Sequence, residues 1–236
     1  MPDRKKIVVI TGAGISAESG LSTFRDSGGL WEGYDIHEVA SIEGWRKDPE
    51  TVLNFYNLRR KQALKAKPNK AHKALAHLQN YYDVQIITQN VDNLHEKAGS
   101  DRVLHLHGEL NKAKSSEVDD HVIEIGDRPI KIGDKAADGS QLRPHVVWFG
   151  EMVPNLEIAA EMTSKADILI VIGTSLVVYP AAGLIDYVKN GSDKFIIDPS
   201  EPEFRDLREW QHIKEKAGIG TPKLVENLIT KVKETD

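Results

Sequence analysis

The stretch "KKIVVITGAGISAESGLSTFRDSGGLW", residues 5–31, decides the fold. Its first part, Lys5–Ile10, predicts a buried strand, because two charges are followed by a run of mostly β-branched residues. Gly12, Gly14 and Ala17 then match the G-x-G-x-x-G/A spacing, in which glycines let backbone N–H groups approach a pyrophosphate. An ordinary dinucleotide fold continues into a long amphipathic helix, whereas here barely one helical turn precedes a polar, glycine-rich loop. This departure indicates that the loop has a further task.

Composition narrows the class of protein. The chain has 236 residues, of which 40% are hydrophobic and 28% charged, the proportions of a globular protein. Its formal net charge of −5 argues against nucleic acid as a partner, and no apolar run is long enough to span a bilayer. No signal-type apolar core follows the N-terminus. The lack of cysteine excludes disulfides, thiolate catalysis and cysteine-ligated zinc, and it predicts a cytoplasmic protein.

Strands and helices are predicted to alternate along the chain. After the first strand, apolar runs predict strands at Val84–Thr88, Val103–Leu106, Val146–Phe149, Ile168–Ile172 and Phe195–Ile197. Helical patterns cover Asn69–Tyr81, Asn155–Lys165 and Pro180–Asn190, and a last helix begins with Thr221 as N-cap and Pro222 at its first position. This order predicts an α/β fold, a Rossmann-like, doubly wound parallel sheet with right-handed crossovers.

Two stretches interrupt the alternation and are predicted as insertions that together form a smaller second domain. Residues 32–67 are helical without a strand, and residues 111–143 are polar with two short alternating runs, "HVIEI" and "RPIKI". The turn between these runs, Gly126–Pro129, predicts a β-hairpin. The Rossmann-like domain then comprises residues 1–31, 68–110 and 144–236.

Polar residues follow the predicted strands, where ligands bind in such sheets. Each feature alone is explained equally well by helix capping or by an ordinary turn. Several on one edge are harder to explain so, because buried polar groups without partners are costly. The groups are Gln89, Asn90 and Asp92 after one strand, His107, Gly108 and Glu109 after the next, then Gly173, Thr174 and Ser175, and finally Asp198.

His105 and His107 form an H-x-H pair, which on a strand faces one side and could ligate zinc. With Asp119, Asp120 and His121 nearby in sequence, a metal hydrolase is a rival interpretation, although no third ligand has a recognisable spacing. We interpret His105 as a core histidine with satisfied hydrogen bonds. His107 lies next to Gly108 at the strand end, and we interpret it as functional.

Five segments resemble the signatures of the sirtuin family, in order and over most of the chain. They are "GAGISAESGLSTFRDSGGLW", "TQNVDNLHEKAG", "HLHGEL", "RPHVVWFGE" and "GTSLVVYPAA". The resemblance implies NAD-dependent removal of acyl groups from lysine side chains, with nicotinamide and O-acyl-ADP-ribose as products. It is nearest to the bacterial class III, desuccinylase-like type that lacks the zinc-binding cysteines.

The resemblance also implies roles for individual residues. His107 would be the general base that activates a ribose hydroxyl, a task suited to an imidazole, whose pKa lies near working pH. Asn90 would act with it, and Gln89 and Asn90 would position ribose hydroxyls and an ordered water. The glycine-rich loop would fold over the nicotinamide and ribose. The expected NAD contacts are Gly12, Ala13, Gly14, Ile15, Glu18, Thr23, Phe24, Arg25, Trp31, Gln89, Asn90, Asp92, Gly173, Thr174, Ser175, Asp198 and Ala217.

Acyl specificity is implied by a helical Y-x-x-R pair. Tyr56 and Arg59 are neighbours on one helix face, and in sirtuins such a pair recognises the carboxylate of succinyl- or malonyl-lysine. Ala40 matches a position where a small residue leaves room for the larger acyl group. The substrate backbone is expected to add as a strand beside "VWFGE", with Val147, Phe149, Gly150 and Glu151 near the acyl-lysine.

Two departures from the family pattern stand out. Many sirtuins hold the second insertion with two C-x-x-C pairs on zinc, whereas this chain offers only His121 with Asp119, Asp120 or Asp134, at spacings that match no structural site. We therefore predict a module without zinc or any other metal. Ile196 occupies the place of the usual asparagine near the adenine ribose, so contacts there are expected to depend on Asp198 and the turn at Ala217.

Three classes of function remain open on the sequence. The first is the lysine deacylase, whose partners would be acylated lysines of proteins or peptides, with neither nucleic acid nor membrane. The second is a mono-ADP-ribosyltransferase on the same scaffold, which would label protein side chains without acyl-lysine. The third is an NAD-binding module without catalysis, against which the presence of His107, Asn90 and Asp92 argues.

Overall fold

The computed structural model of the chain describes residues 4–22, 30–31, 33–118, 121–201 and 208–234. Its strands are β1 (Lys6–Thr11), β2 (Leu30–Trp31), β3 (Tyr34–Asp35), β4 (Asp83–Thr88), β5 (Val103–His105), β6 (Gly108–Ser115), β7 (Val122–Glu124), β8 (Leu142–Val146), β9 (Ile168–Ile172), β10 (Asp193–Ile197) and β11 (Gln211–Ile213). Its α-helices are α1 (Gly14–Ala17), α2 (Ile36–Val39), α3 (Ile42–Lys47), α4 (Pro49–Lys65), α5 (Lys70–Leu78), α6 (Leu94–Lys97), α7 (Leu156–Ser164) and α8 (Ala217–Lys233), and a 3₁₀-helix spans Ala181–Tyr187.

The central sheet has six parallel strands in the order β11-β10-β9-β1-β4-β5. From β1, the chain first adds β4 and β5 on one side and later β9, β10 and β11 on the other. The strand order therefore reverses between β1 and β9, and an α/β sheet binds its ligands in the crevice at such a point. The predicted Rossmann-like, doubly wound α/β fold is confirmed.

Both faces of the sheet are covered, as the continuous apolar runs of its inner strands predict. Alternate residues of β1 belong to two different cores. Ile7 and Val9 pack in the core that contains α5 and α8, whereas Val8 and Ile10 pack in the core of α7 and the 3₁₀-helix. The sheet is thus held from both sides, which keeps its carboxyl edge in place. No helix of the described residues is long and apolar enough to cross a membrane.

The two interrupting stretches form elements of their own. Helices α2 and α4 share an apolar cluster that contains Val39, Phe55, Tyr56, Leu110 and Trp148. Strands β7, β6 and β8 form a three-stranded antiparallel sheet in that order. The division of the chain into a Rossmann-like and a smaller domain stays a prediction.

The predicted hairpin is wrong in its pairing. "HVIEI" contains β7, which pairs with the unpredicted β6, whereas "RPIKI" contains no strand. The second run is instead held by a helix side chain: Asn57 of α4 donates from Nδ2 to the carbonyl of Ile130 and accepts the Ile130 N–H at Oδ1. A side-chain amide thus takes the place of a neighbouring strand.

Three further boundaries differ from the prediction. Helix α8 begins at Ala217, so Pro222 lies inside it and not at its first position, because the Glu18 carboxylate accepts the Gly218 N–H and stabilises an earlier first turn. The strand expected at Val146–Phe149 ends at Val146. The helix expected at Pro180–Asn190 is the 3₁₀-helix Ala181–Tyr187. Strand β11 was not predicted, and the remaining predicted strands agree with the structure to within two residues.

A hydrogen-bonded clasp, formed by Ser115, Asp138 and Ser140, joins the end of β6 to the segment before β8. The Ser115 and Ser140 hydroxyls each donate to one oxygen of the Asp138 carboxylate, at 2.7 and 2.8 Å. The Ser115 oxygen also accepts the N–H groups of Glu117 and Val118. These bonds, led by that from Ser115, hold the pKa of Asp138 down to about 2. Side-chain oxygens thus connect segments of the second insertion.

We expect Ser115→Ala to lower the free energy of unfolding by about 2 kcal/mol and the Tm by about 4–8 °C, because it removes a buried hydroxyl that donates to Asp138 and accepts two backbone N–H groups. Ser116→Ala is the matched control, since that hydroxyl makes one long bond of 3.5 Å. Thermal unfolding followed by circular dichroism measures both. Equal shifts in the two variants would contradict the clasp.

Candidate active site

The floor of the crevice is backbone in close contact. After β1, the N–H groups of Gly12 and Gly14 donate to the carbonyl oxygens of Ile172 and Gly173, at the end of β9. A Cβ on Gly173 would lie 2.4 Å from the Ile15 nitrogen, and one on Gly14 would lie 2.6 Å from the Gly173 Cα. Only glycine fits at these positions, so the crevice has a floor of main chain, as a pyrophosphate site requires.

Three side chains form a hydrogen-bonded group beside this floor. The Asn90 Nδ2 donates to the Gly12 carbonyl and to the Ser16 oxygen, both at 3.1 Å. The Ser16 hydroxyl in turn donates to Asp92 Oδ2 at 3.0 Å. We call Asn90, Ser16 and Asp92 the Asn–Ser–Asp group. A role for Ser16 was not predicted from the sequence, although Ser16 follows Ile15 directly in the glycine-rich motif and could have been found there.

Asp92 is buried, and burial raises the pKa of its carboxyl group above the ordinary value. The bonds from the Leu94 N–H and from Ser16 act in the opposite direction without cancelling that effect. A carboxylate can accept more bonds than these two. The structure thus places a partly satisfied acceptor in the site, at a cost to folding.

His107 is fixed as a neutral base. Its Nδ1 lies 3.1 Å from the Gln89 carbonyl, and since a carbonyl only accepts, Nδ1 carries the proton. The lone pair then resides on Nε2. Burial lowers the pKa of His107 more than the Gln89 contact raises it. The Gln89 side chain also reaches across the switch point, because its Nε2 donates to Thr174 Oγ1 at 3.2 Å.

His105 has both ring nitrogens engaged, with the Asn90 carbonyl at 2.9 Å and with Glu96 Oε1 at 2.8 Å. Burial tends to lower the pKa of His105, but the bond and charge of Glu96 outweigh it and raise the pKa. The prediction of a satisfied core histidine is confirmed. Among the residues the structure describes, no three metal-binding side chains come together, so the metal-hydrolase interpretation finds no support there.

A second polar chain under the site was not predicted. Thr88 Oγ1 accepts the Asn90 N–H at 3.1 Å and the Thr11 hydroxyl at 2.8 Å, and Thr11 lies 3.0 Å from the buried His95 Nε2. Thr11 and Thr88 are the last residues of adjacent strands, and their identity as polar strand ends was the available signal. These bonds position the Asn90 backbone from below.

At the far end of the crevice, Glu18 caps the start of α8 through the Gly218 N–H at 2.6 Å, next to the expected contact Ala217. Asp198 follows β10, is buried, and accepts the Ser200 N–H at 2.9 Å. Ile196 is buried in the core that contains α7 and the 3₁₀-helix, so its side chain packs on that face of the sheet. The structure thus leaves Asp198 as the acidic side chain at this strand end.

Tyr56 and Arg59, the expected acyl-binding pair, both lie beside the Phe55 ring on α4. Tyr56 is 1% exposed, and its hydroxyl accepts the Trp148 Nε1–H at 3.0 Å. Burial raises the pKa of Tyr56 to about 12, with the positive charge of Arg59 acting against it. Arg59 is half-buried, and its guanidinium lies 5.7 Å from the centre of the Phe55 ring.

The segment after β8 is anchored on both sides. Val147 donates its N–H to the His107 carbonyl, and Phe149 donates to the Ala40 carbonyl. Glu151, expected near the acyl-lysine, accepts the Trp148 N–H and two bonds from Arg143. Gly150 has a φ of +89°, a turn conformation.

The remaining predicted residues fall into two sets. Ala13 precedes α1, Ile15 is buried with its N–H on the Gly12 carbonyl, and Ser175 is half-buried after β9. Thr23, Phe24 and Arg25 lie outside the described residues, and for Trp31 only the backbone is described, in β2 paired with β3.

A family model, the sequences of curated proteins and solved structures all relate this chain to the same family. Residues 12–180 match the model of the Sir2 family. A protein of Bacteroides thetaiotaomicron named NAD-dependent protein deacylase is 51% identical over 230 residues, which cover 95% of this chain and 98% of that protein. A mutant Sir2 homologue in complex with ADP-ribose has a TM-score of 0.88 at 40% identity, over 98% of this chain and 94% of the other. A Sir2 homologue–NAD complex has a TM-score of 0.87 at 41% identity, over 97% and 91%.

We expect Asp92→Asn to raise the Tm at pH 7.5 by about 2–4 °C, because an amide avoids burying charge and still accepts the Leu94 N–H. For a chain of this length, such a shift corresponds to a gain of ~1 kcal/mol in the free energy of unfolding. A raised carboxyl pKa costs stability above the pH where the unfolded group ionises. The gain should therefore fade as the pH falls to about 4.

Asp48→Asn is the control, because hydrogen bonds from Thr51 lower the pKa of that carboxyl and its ionised form favours folding. It should not raise the Tm. A lower Tm for Asp92→Asn at pH 7.5 would contradict the stated cost of the buried carboxylate.

Proposed function

The chain belongs to the Sir2 family, the sirtuins, and on that premise we propose that it is an NAD-dependent protein-lysine deacylase with a preference for acidic acyl groups. The products would be the free lysine, nicotinamide and O-acyl-ADP-ribose. The observation that carries the proposal is the Asn–Ser–Asp group beside the glycine floor, with a neutral His107 fixed at the same strand edge.

The residues of the crevice fit the chemistry of NAD. The glycine floor offers main chain to a pyrophosphate, and Asp92 offers carboxylate lone pairs to the N–H₂ of a carboxamide. When bound, NAD supplies a ribose from which nicotinamide can leave. Asn90 and Gln89 would orient the ribose hydroxyls, because their side chains are fixed by Gly12, Ser16 and Thr174.

His107 would act as the general base. Its Nδ1 proton is held by the Gln89 carbonyl, so Nε2 is the atom that accepts a proton from a ribose hydroxyl. The lowered pKa keeps the imidazole neutral, and hence able to accept a proton, at pH values where an ordinary histidine is already protonated.

The acyl group would be recognised by Tyr56 and Arg59. The guanidinium offers the donor fork that suits a carboxylate, and the phenol offers one further donor. The small side chain of Ala40, in the same apolar cluster as Tyr56, is consistent with room for a succinyl or malonyl chain.

The peptide would lie along the segment that follows β8. The N–H groups of Val147, Trp148 and Phe149 already donate within the chain, so an added strand would use carbonyl groups there or donors beyond Phe149. Large apolar side chains are exposed on this segment and after β9, at Phe149, Met152, Val177 and Tyr179, and would contact the substrate.

The second insertion would need no zinc. The clasp of Ser115, Asp138 and Ser140 supports this, because it connects two segments of the insertion through hydrogen bonds between side chains. Chelator treatment should therefore change neither folding nor activity, and elemental analysis that finds one tightly held zinc per chain would overturn the proposal.

We expect His107→Gln to lower deacylation by about 10²–10⁴-fold while NAD binding changes little, because the base is lost and the floor is intact. In the wild type, kcat/KM should decrease as the pH is lowered through a pKa below 6.5, since protonated His107 cannot accept a proton. Calorimetric titration and a pH profile measure these effects. His77→Gln, at the exposed end of α5, should behave as the wild type.

We expect Arg59→Met to lower kcat/KM for a succinyl-lysine peptide by about 100-fold and for the acetyl-lysine peptide by less than about 3-fold, because only the acidic chain loses a charge-assisted bond. Mass spectrometry with NAD and acetyl-, succinyl- or malonyl-lysine peptides measures this. Lys61→Met, exposed on the same helix, is the control.

Equal losses on all peptides would refute the role of Arg59 in specificity. Transfer of label from NAD onto protein side chains without any acyl-lysine would favour the ADP-ribosyltransferase instead.

A further inference from the structure

The Tyr56 hydroxyl has a built-in orientation. We propose that Trp148 is a positioning residue for acyl-chain specificity: its indole N–H occupies the acceptor side of the Tyr56 hydroxyl and leaves the phenol proton directed to the carboxylate of an acidic acyl group. This inference rests on the proposed function, in which Tyr56 and Arg59 recognise that carboxylate.

The chemistry of the two groups fixes the direction of their hydrogen bond. An indole N–H can only donate, so in the 3.0 Å contact with Trp148 the Tyr56 oxygen is the acceptor. The phenol proton is then left to point elsewhere. Both side chains are almost fully buried, at 1% and 2% exposure, and among the described residues no hydrogen bond from the Tyr56 hydroxyl as donor is found. A buried donor without an acceptor is costly, and a bound carboxylate oxygen would satisfy it.

Trp148 is held rigidly enough to act in this way. Its backbone N–H donates to Glu151 Oε2 at 2.7 Å, and the Arg143 guanidinium lies 3.4 Å from the centre of its ring. Arg143 and Glu151 are themselves joined by two hydrogen bonds of 2.7 and 2.9 Å. The indole is therefore fixed at its backbone, on its ring face and at its nitrogen, so the direction of its N–H is preorganised.

The position of Trp148 links two parts of the proposed substrate site. Phe149, the next residue, is 45% exposed on the segment where the peptide would lie, whereas Trp148 is directed inward to Tyr56. The phenol stays a donor over the whole working range, because burial raises the pKa of Tyr56 to about 12. The contact therefore sets the direction of the proton and not its presence.

The test compares Trp148→Phe with Trp45→Phe. Trp45 lies in the same aromatic cluster, with its ring centre 5.6 Å from that of Trp148, and is the matched control for lost ring volume. With NAD and matched succinyl- and acetyl-lysine peptides, we expect Trp148→Phe to lower the succinyl-to-acetyl ratio of kcat/KM by about 5–10-fold, mostly through KM, because one oriented hydrogen bond is lost. Trp45→Phe should change the ratio by less than about 2-fold.

Two further variants separate orientation from packing. If Trp148 acts through the phenol, the double variant of Trp148→Phe with Tyr56→Phe should have the ratio of Tyr56→Phe alone. Trp148→His, which keeps a ring N–H on a smaller ring, should recover part of the ratio lost in Trp148→Phe, whereas a packing defect would make it worse. If Trp148→Phe does not fold, the succinyl-to-acetyl ratio of Trp148→His provides the test instead.

Additive effects in the double variant, or equal ratios in the Trp148 and Trp45 variants, would overturn the inference alone, provided that Arg59→Met is selective against succinyl peptides. If the wild type does not remove succinyl groups, or if Arg59→Met is unselective, the proposed acyl preference fails, and this inference fails with it.

Discussion

The close approach of two backbone segments, Gly12–Gly14 after β1 and Gly173 after β9, is the constraint on which the rest of the site depends. A Cβ on Gly173 would lie within 2.4 Å of the Ile15 nitrogen, so neither segment can carry a side chain where they meet. This contact lies where the strand order reverses, and it forms the crevice. The position of Ser16, and through it of Asn90 and Asp92, follows from the path of the chain over this floor.

The polar groups of the site are held by partners from several segments of the chain. Asn90 is fixed from the side by Gly12 and Ser16 and from below by Thr88, while Gln89 holds His107 through its carbonyl and Thr174 through its side chain. Burial acts against the charged forms of both Asp92 and His107. The site is therefore assembled at the expense of folding free energy, a trade common where chemistry requires partly satisfied groups.

The smaller elements contribute specificity by other means. Two side chains of α4 make the relevant hydrogen bonds. Asn57 bonds the backbone of Ile130 in place of a neighbouring strand, and the Tyr56 hydroxyl accepts the indole N–H of Trp148. The clasp around Asp138 connects chain segments through oxygen atoms. None of these contacts follows from local periodicity, because each joins residues that are more than 20 positions apart in the chain or depends on which way one side chain turns.

The sequence by itself determined the α/β fold, the strand cores, and the polar residues at the strand ends, because β-branched runs, glycine spacing and strand-end chemistry are local properties. The interpretation of His105 as a core histidine with satisfied hydrogen bonds also came from the sequence, and the structure confirms it. Only the tertiary structure decided that "HVIEI" pairs with β6, that α8 begins at Ala217, and that Ser16 joins Asn90 to Asp92. Strand partners, helix starts and hydrogen-bond directions depend on groups brought together from distant parts of the chain, and no local pattern records them.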